Sequence, residues 1–221
     1  MSECRKLARV RPVTKMTARV KICGITTLEQ AWACVELGVD AIGVNLVDTS
    51  PRRVDETLAR KIAHEVGDRV LVVAVVANRT VDAMRAIREG TGVGCLQLHG
   101  DEAPADVSAL LPHAYKAVRV GDPADVATAD GMPGEYVMVD ARVAGALGGT
   151  GRTVDWALVA PLASRRRLVL AGGLTPENVR EAVAAVRPWC VDVASGVETA
   201  PGIKDMRRVA AFVRAAREAA R

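Results

Sequence analysis

Along the chain, short runs of apolar and β-branched residues alternate with stretches whose apolar residues recur at helical spacing. The runs are 19-RVKICGI, 41-AIGVNL, 70-VLVVAVVA, 94-GCLQLHG, 114-AYKAVRV, 136-YVMVDA, 167-RLVLAGG and 190-CVDVASG. Near-continuous apolar strands separated by helices describe a parallel sheet with both faces covered. Eight β–α pairs in about 200 residues predict an α/β protein built as one closed (β/α)8 TIM barrel. The competing open, doubly wound sheet would use fewer strands and carry a glycine-rich dinucleotide turn after the first. No G-x-G-x-x-G follows the first run here.

The intervening stretches carry helix grammar. Thr26-x-x-Glu29 reads as a capping box, with Leu28, Ala31 and Val35 on one face behind it. Thr175-Pro176 reads as an N-cap followed by proline at the first helical position. Val179, Ala182, Val183 and Val186 follow at i, i+3, i+4 and i+7. Met206, Val209 and Val213 mark one face of a last helix.

Composition narrows the class. The 221 residues are 50% hydrophobic and 25% charged, enough for one sizeable core. No uninterrupted apolar run approaches the length of a membrane span. Residues 1–17 are basic without an apolar stretch behind the charges, which predicts a flexible leader rather than a secretory signal, with the barrel over 18–221. The net charge of +4 is scattered and Phe, Tyr and Trp total six, which argues against a nucleic-acid partner. The densest basic run, Arg165-Arg166-Arg167, reads as a solvated edge. Five cysteines (4, 23, 34, 95 and 190) with no CxxC fit free thiols in a reducing, cytoplasmic setting and no zinc site.

In a barrel of this kind the site lies at the C-terminal ends of the strands. Cys23 ends the first run, beside Gly24 and ahead of a helix N-terminus whose partial charge favours a thiolate. A small buried apolar role is the alternative for it. Asp140 ends the sixth run; a carboxyl there needs solvent or a partner, and with Cys23 it would form an acid–base pair. A cap or loop hydrogen bond is the plainer role. Arg52, after the second strand, offers a fork to a substrate carboxylate. His99 ends the fourth strand, where an acid, base or positioning role competes with a structural one; nothing supplies further ligands for a metal. Glycine-bearing turns at 148-GGTG-151, 171-AGGL-174 and 194-ASGVE-198 suit a phosphate, because glycine lets backbone N–H groups approach its oxygens.

Taken together, VKICGIT at 20–26, SPR at 50–52, LQLHGDE at 96–102, the Asp140 strand end, GGTGRTVDW at 148–156, LAGGLTPENV at 170–179 and VDVASGVE with PGIKD at 191–205 resemble the phosphoribosylanthranilate isomerase family of tryptophan synthesis. The phrases fall in the family's order across residues 19–205. The resemblance implies a (β/α)8 barrel with no metal or organic cofactor and a small phosphorylated substrate, working as a monomer or homodimer. It implies an Amadori rearrangement with Cys23 as general base and Asp140 as general acid, protonated through burial. Arg52 would hold the anthranilate carboxylate, and Gly149, Gly173, Ser195 and Gly196 the phosphate. A related isomerase of histidine synthesis normally uses two aspartates, and Cys23 in place of the first speaks against it. The sequence departs from the family's pattern at 44-VNLVDTSPR-52, which is more polar than usual, and at Ala194, where a second serine is usual; residues 1–17 are extra.

Overall fold

The computed structural model describes residues 18–141 and 156–219; the leader and the segment carrying Gly149 lie outside the described residues. Eight parallel strands close in chain order: β1 (Arg19–Cys23), β2 (Ala41–Asn45), β3 (Leu71–Val76), β4 (Cys95–Leu98), β5 (Ala114–Val120), β6 (Tyr136–Ala141), β7 (Arg167–Ala171) and β8 (Cys190–Val193). β8 pairs back onto β1, with Lys21 opposite Asp192. The eight apolar runs are therefore eight strands, and the predicted TIM barrel is the observed one. Between them lie α1 (Leu28–Glu36), α2 (Glu56–Val66), α3 (Val81–Thr91), α4 (Pro104–Leu110), α5 (Pro123–Gly131), α6 (Trp156–Ala163) and α7 (Val179–Val186), with α8 (Met206–Glu218) last. A small antiparallel hairpin, β9 (Glu198–Ala200) and β10 (Ile203–Lys204), sits between β8 and α8.

Side chains alternate across a strand, so parity sorts each one. Val20 and Ile22 of β1 join the apolar layer between sheet and helices, where Ile62 of α2, Met84 of α3 and Phe212 of α8 are fully buried. Each such side chain contributes on the order of 1.5–3 kcal/mol. The opposite parity faces the barrel axis. There Leu71, Val73, Tyr115, Met138 and Val169 form a second apolar cluster that plugs the lower half. The upper inward positions are left to the site.

The helix starts differ in detail from the sequence pattern. The N-cap of α1 is Thr27, whose side chain accepts from Gln30 N. Thr26 is unavailable, because its hydroxyl donates to Gly202 O in the β9–β10 turn. Thr175 opens a turn in which Val179 N donates to Thr175 O, and α7 begins only after Asn178. Its predicted face, Val179, Ala182, Val183 and Val186, is buried as expected, and so are Val209 and Val213 of α8. The Arg165–Arg167 run is more than a solvated edge. Arg166 donates to the carbonyls of Asp130, Met132 and Gly134, and so ties the end of α5 to β7.

Candidate active site

The upper inward positions open into a cavity of about 730 Å³, the size of a small-molecule site. Its walls include Cys23 from β1, Asn45 from β2, Val75 from β3, Gln97 from β4, Arg119 from β5, Asp140 from β6, Ala171 from β7 and Asp192 from β8. His99 and the exit loops carrying Arg52, Gly172, Gly173 and Ser195 complete it. Cys23, Asp140, Arg52, His99, Gly173 and Ser195, far apart in sequence, thus share one enclosure.

Cys23 is 9% exposed. Burial holds its thiol above its ordinary value; the Lys21 ammonium below it and Lys204 pull it back down, while Asp192 opposes them. The sequence assigned that pull to a helix N-terminus, but α1 starts five residues on and is capped by its own Thr27. Gly24 also has a different purpose from the expected ligand approach. Its φ is +78°, and a Cβ there would lie 2.6 Å from Arg52 Cδ. The glycine makes room for Arg52.

Arg52 is not a free fork. Its Nε lies 2.9 and 3.1 Å from the two Glu198 oxygens, and its Nη2 2.6 Å from Oε2. Glu198, with a side chain 3% exposed, also accepts from Lys204 Nζ at 2.7 Å and Gly202 N at 3.1 Å. One edge of the guanidinium, Nε with Nη2, is therefore spent on orientation. Nη1 and the second hydrogen of Nη2 make no hydrogen bond among the described residues, so the other edge of the fork is left for a ligand.

Asp140 ends β6 with 8% exposure, and its Oδ2 lies 3.5 Å from His99 Nε2. The ring of His99 is fixed from behind. Lys21 Nζ has only hydrogens to give, so Gln97 Oε1, 2.9 Å away, accepts from it and from Tyr115 Oη. Gln97 Nε2 must then donate, 2.8 Å away, to His99 Nδ1. The hydrogen on His99 belongs on Nε2, facing Asp140. His99 thus stands between Gln97 and the carboxyl rather than alone on the wall.

At the far wall, Gly172 and Gly173 have φ of +94° and +66°, which turns the backbone at the top of β7. Space beyond Gly173 is open, and Ser195 stands beside it on the cavity wall. Gly196 is different. It does not line the cavity, and a Cβ on it would collide with Leu174 O. Its lack of a side chain lets the exits of β7 and β8 pack. The sequence missed Lys21, Glu198 and Lys204 altogether, and also Asn78 and Arg79 on the cavity wall.

Fold and site together define a (β/α)8-barrel enzyme with a thiol and a carboxyl at the strand ends, a glycine-rich corner and an arginine rim. Comparison with known proteins narrows the class. The family profile for N-(5'-phosphoribosyl)anthranilate (PRA) isomerase matches residues 20–215. The N-(5'-phosphoribosyl)anthranilate isomerase of Myxococcus xanthus (strain DK1622) is 45% identical over 206 residues, covering 91% of this chain and 97% of the relative. The crystal structure of phosphoribosyl anthranilate isomerase from Thermotoga maritima superposes with a TM-score of 0.84 at 38% identity, covering 91% of this chain and 99% of that one. A crystal structure of the same enzyme type in complex with reduced 1-(o-carboxyphenylamino)-1-deoxyribulose 5-phosphate gives 0.81 at 36% identity, covering 91% and 99%. The chain belongs to the phosphoribosylanthranilate isomerase family.

Proposed function

We propose that the protein isomerises N-(5-phosphoribosyl)anthranilate to 1-(2-carboxyphenylamino)-1-deoxyribulose 5-phosphate, the Amadori step of tryptophan synthesis. The observation that carries this reading is the placement of Cys23 and Asp140 on separate walls of one cavity, one at the end of β1 and the other at the end of β6. Asp140, oriented by His99, donates a proton to the ribose ring oxygen. The C1–O bond breaks, and the aryl nitrogen's lone pair forms a protonated imine. That cation acidifies the C2 hydrogen, which the Cys23 thiolate removes; the C–H electrons form the C1=C2 bond and neutralise the nitrogen. The resulting enol gives up its hydroxyl proton and C1 gains one, leaving the ketone with atoms and charge balanced.

Around this centre, Gly173 and Ser195 hold the phosphate at the tops of β7 and β8, with Gly196 supporting the turn. Arg52 holds the anthranilate carboxylate through the N–H groups that Glu198 leaves free. Gly149 carries the same phosphate role by resemblance alone, since it lies outside the described residues.

The test is turnover of freshly generated substrate, followed by loss of anthranilate fluorescence. Cys23→Ala and Asp140→Asn should each lower kcat by about 10²–10⁴ while the fold is retained. An active Cys23→Ala variant would remove the thiol from the mechanism; a wild type that binds product analogue without turning over would remove the reaction.

A further inference from the structure

The mechanism above uses a thiolate, yet Cys23 sits in a setting whose burial opposes one. Beneath it lies a buried cation that the reaction scheme does not touch. Lys21 is 2% exposed and occupies the inward position of β1 just below Cys23. Its Nζ is held 2.9 Å from Asp192 Oδ1 and 2.9 Å from Gln97 Oε1. Gly43 of β2 keeps the space between lysine and cysteine clear. A Cβ on Gly43 would lie 2.8 Å from Cys23 Sγ and 3.3 Å from Lys21 Nζ, so those two atoms are within about 6 Å of each other. At that separation an opposite charge favours the ionised form.

We infer that Lys21 is a positioning residue for catalysis: its ammonium, locked under the cavity floor by Asp192 and Gln97, stabilises the Cys23 thiolate. The inference rests on the reading of Cys23 as the base. A lysine this deep would ordinarily lose its proton. Burial does oppose the charge, but Asp192, Cys23 and Tyr115 outweigh it and hold the group well above its ordinary value. The cation therefore persists throughout the working range. The same lysine fixes Gln97 and, through it, the His99 nitrogen that faces Asp140, so one buried charge serves both ends of the proposed acid–base pair.

The charged and titratable groups around Cys23 are Lys21 on its own strand, Asp192 on β8, Tyr115 on β5, Arg52 after β2 and Lys204 on β10. Of these, Lys21 and Asp192 act on the thiol with opposite signs. The lysine's pull is the stronger of the two, so removing both charges leaves a net rise in the thiol's titration. Lys21→Met alone would strand a buried carboxylate, so it is made together with Asp192→Asn, which leaves no unpaired charge.

The pH dependence of iodoacetamide alkylation at Cys23, read by peptide mass spectrometry, reports the thiol directly. The Lys21→Met/Asp192→Asn protein should titrate above wild type. The alkaline-activated limb of kcat/KM should move with the alkylation midpoint in each protein. An unchanged or lowered midpoint in the double variant overturns the inference. Turnover by Cys23→Ala judges the underlying reading separately, because the alkylation midpoint reports Lys21 whether or not Cys23 is the base.

Discussion

Glu198 lies outside the proposed chemistry, yet it is where the rim is held together. Its carboxylate accepts from Arg52, Lys204 and Gly202, and its side chain is almost fully buried. In Glu198→Gln the volume and one acceptor remain, but two cations lose their counter-charge. Breaking a buried pair from one side costs about 3–5 kcal/mol; the partial exposure of Arg52 puts the loss at the low end, about 3 kcal/mol. For a chain of this length each kcal/mol moves Tm by about 2–4 °C, so calorimetry should record a fall of roughly 6–12 °C.

The pH dependence has a definite sign. Burial pushes the Glu198 carboxyl up, but the hydrogen bonds from Arg52 and Lys204 hold it below its ordinary value. A carboxylate depressed in the folded state stabilises the fold above its unfolded value of about 4.3. That contribution drains away as pH falls through the lower folded value. The Tm gap between wild type and variant should therefore be full at pH 7 and close below about pH 4. KM should rise with the loss of Arg52 orientation. A Tm within about 2 °C of wild type at pH 7, with KM unchanged, would show that the carboxylate neither stabilises the rim nor aims the arginine.

Two other outcomes follow from the same rim and its thiol. Gly24→Ala forces a left-handed backbone on alanine, at about 1–2 kcal/mol, and pushes Arg52 aside. KM should rise more than kcat falls, and an unchanged KM would mean that Arg52 does not meet substrate. Native alkylation should label Cys23 ahead of Cys34, Cys95 and Cys190, because burial pushes the Cys34 thiol up to about 12 and the Cys190 thiol well above its ordinary value. Bound product analogue should protect Cys23, and labelling of Cys34 first would contradict the packing of α1.

The strands were legible because each is buried on both faces and so is written as an apolar run. Helix starts were less so. Thr26 and Thr27 are equally good caps in isolation, and only the distant Gly202 carbonyl decides between them. The site was legible where chemistry falls at a strand end, as with Cys23 and Asp140, and illegible where it depends on pairing across the barrel. Lys21 had one readable signal: it shares inward parity with Cys23 in a strand otherwise apolar. Glu198 had none, since nothing near it in sequence points to Arg52. Gly24 and Gly196 were read as points of close ligand approach; that they also make room for Arg52 and Leu174 O was illegible, because those groups belong to other loops.

The contacts that set up the rim join the two ends of the chain. Lys21 and Asp192 are 171 residues apart, Arg52 and Glu198 146, and Thr26 and Gly202 176. Each is a long-range closure whose entropy must be met before it returns any free energy. The charge environment of Cys23 consequently comes into being only when the last strand docks against the first. An emerging chain on the ribosome, or a fragment lacking β8, carries the same cysteine as an ordinary thiol. Its setting above a buried lysine and across from Asp140 is a property of the closed ring, completed by the final act of folding.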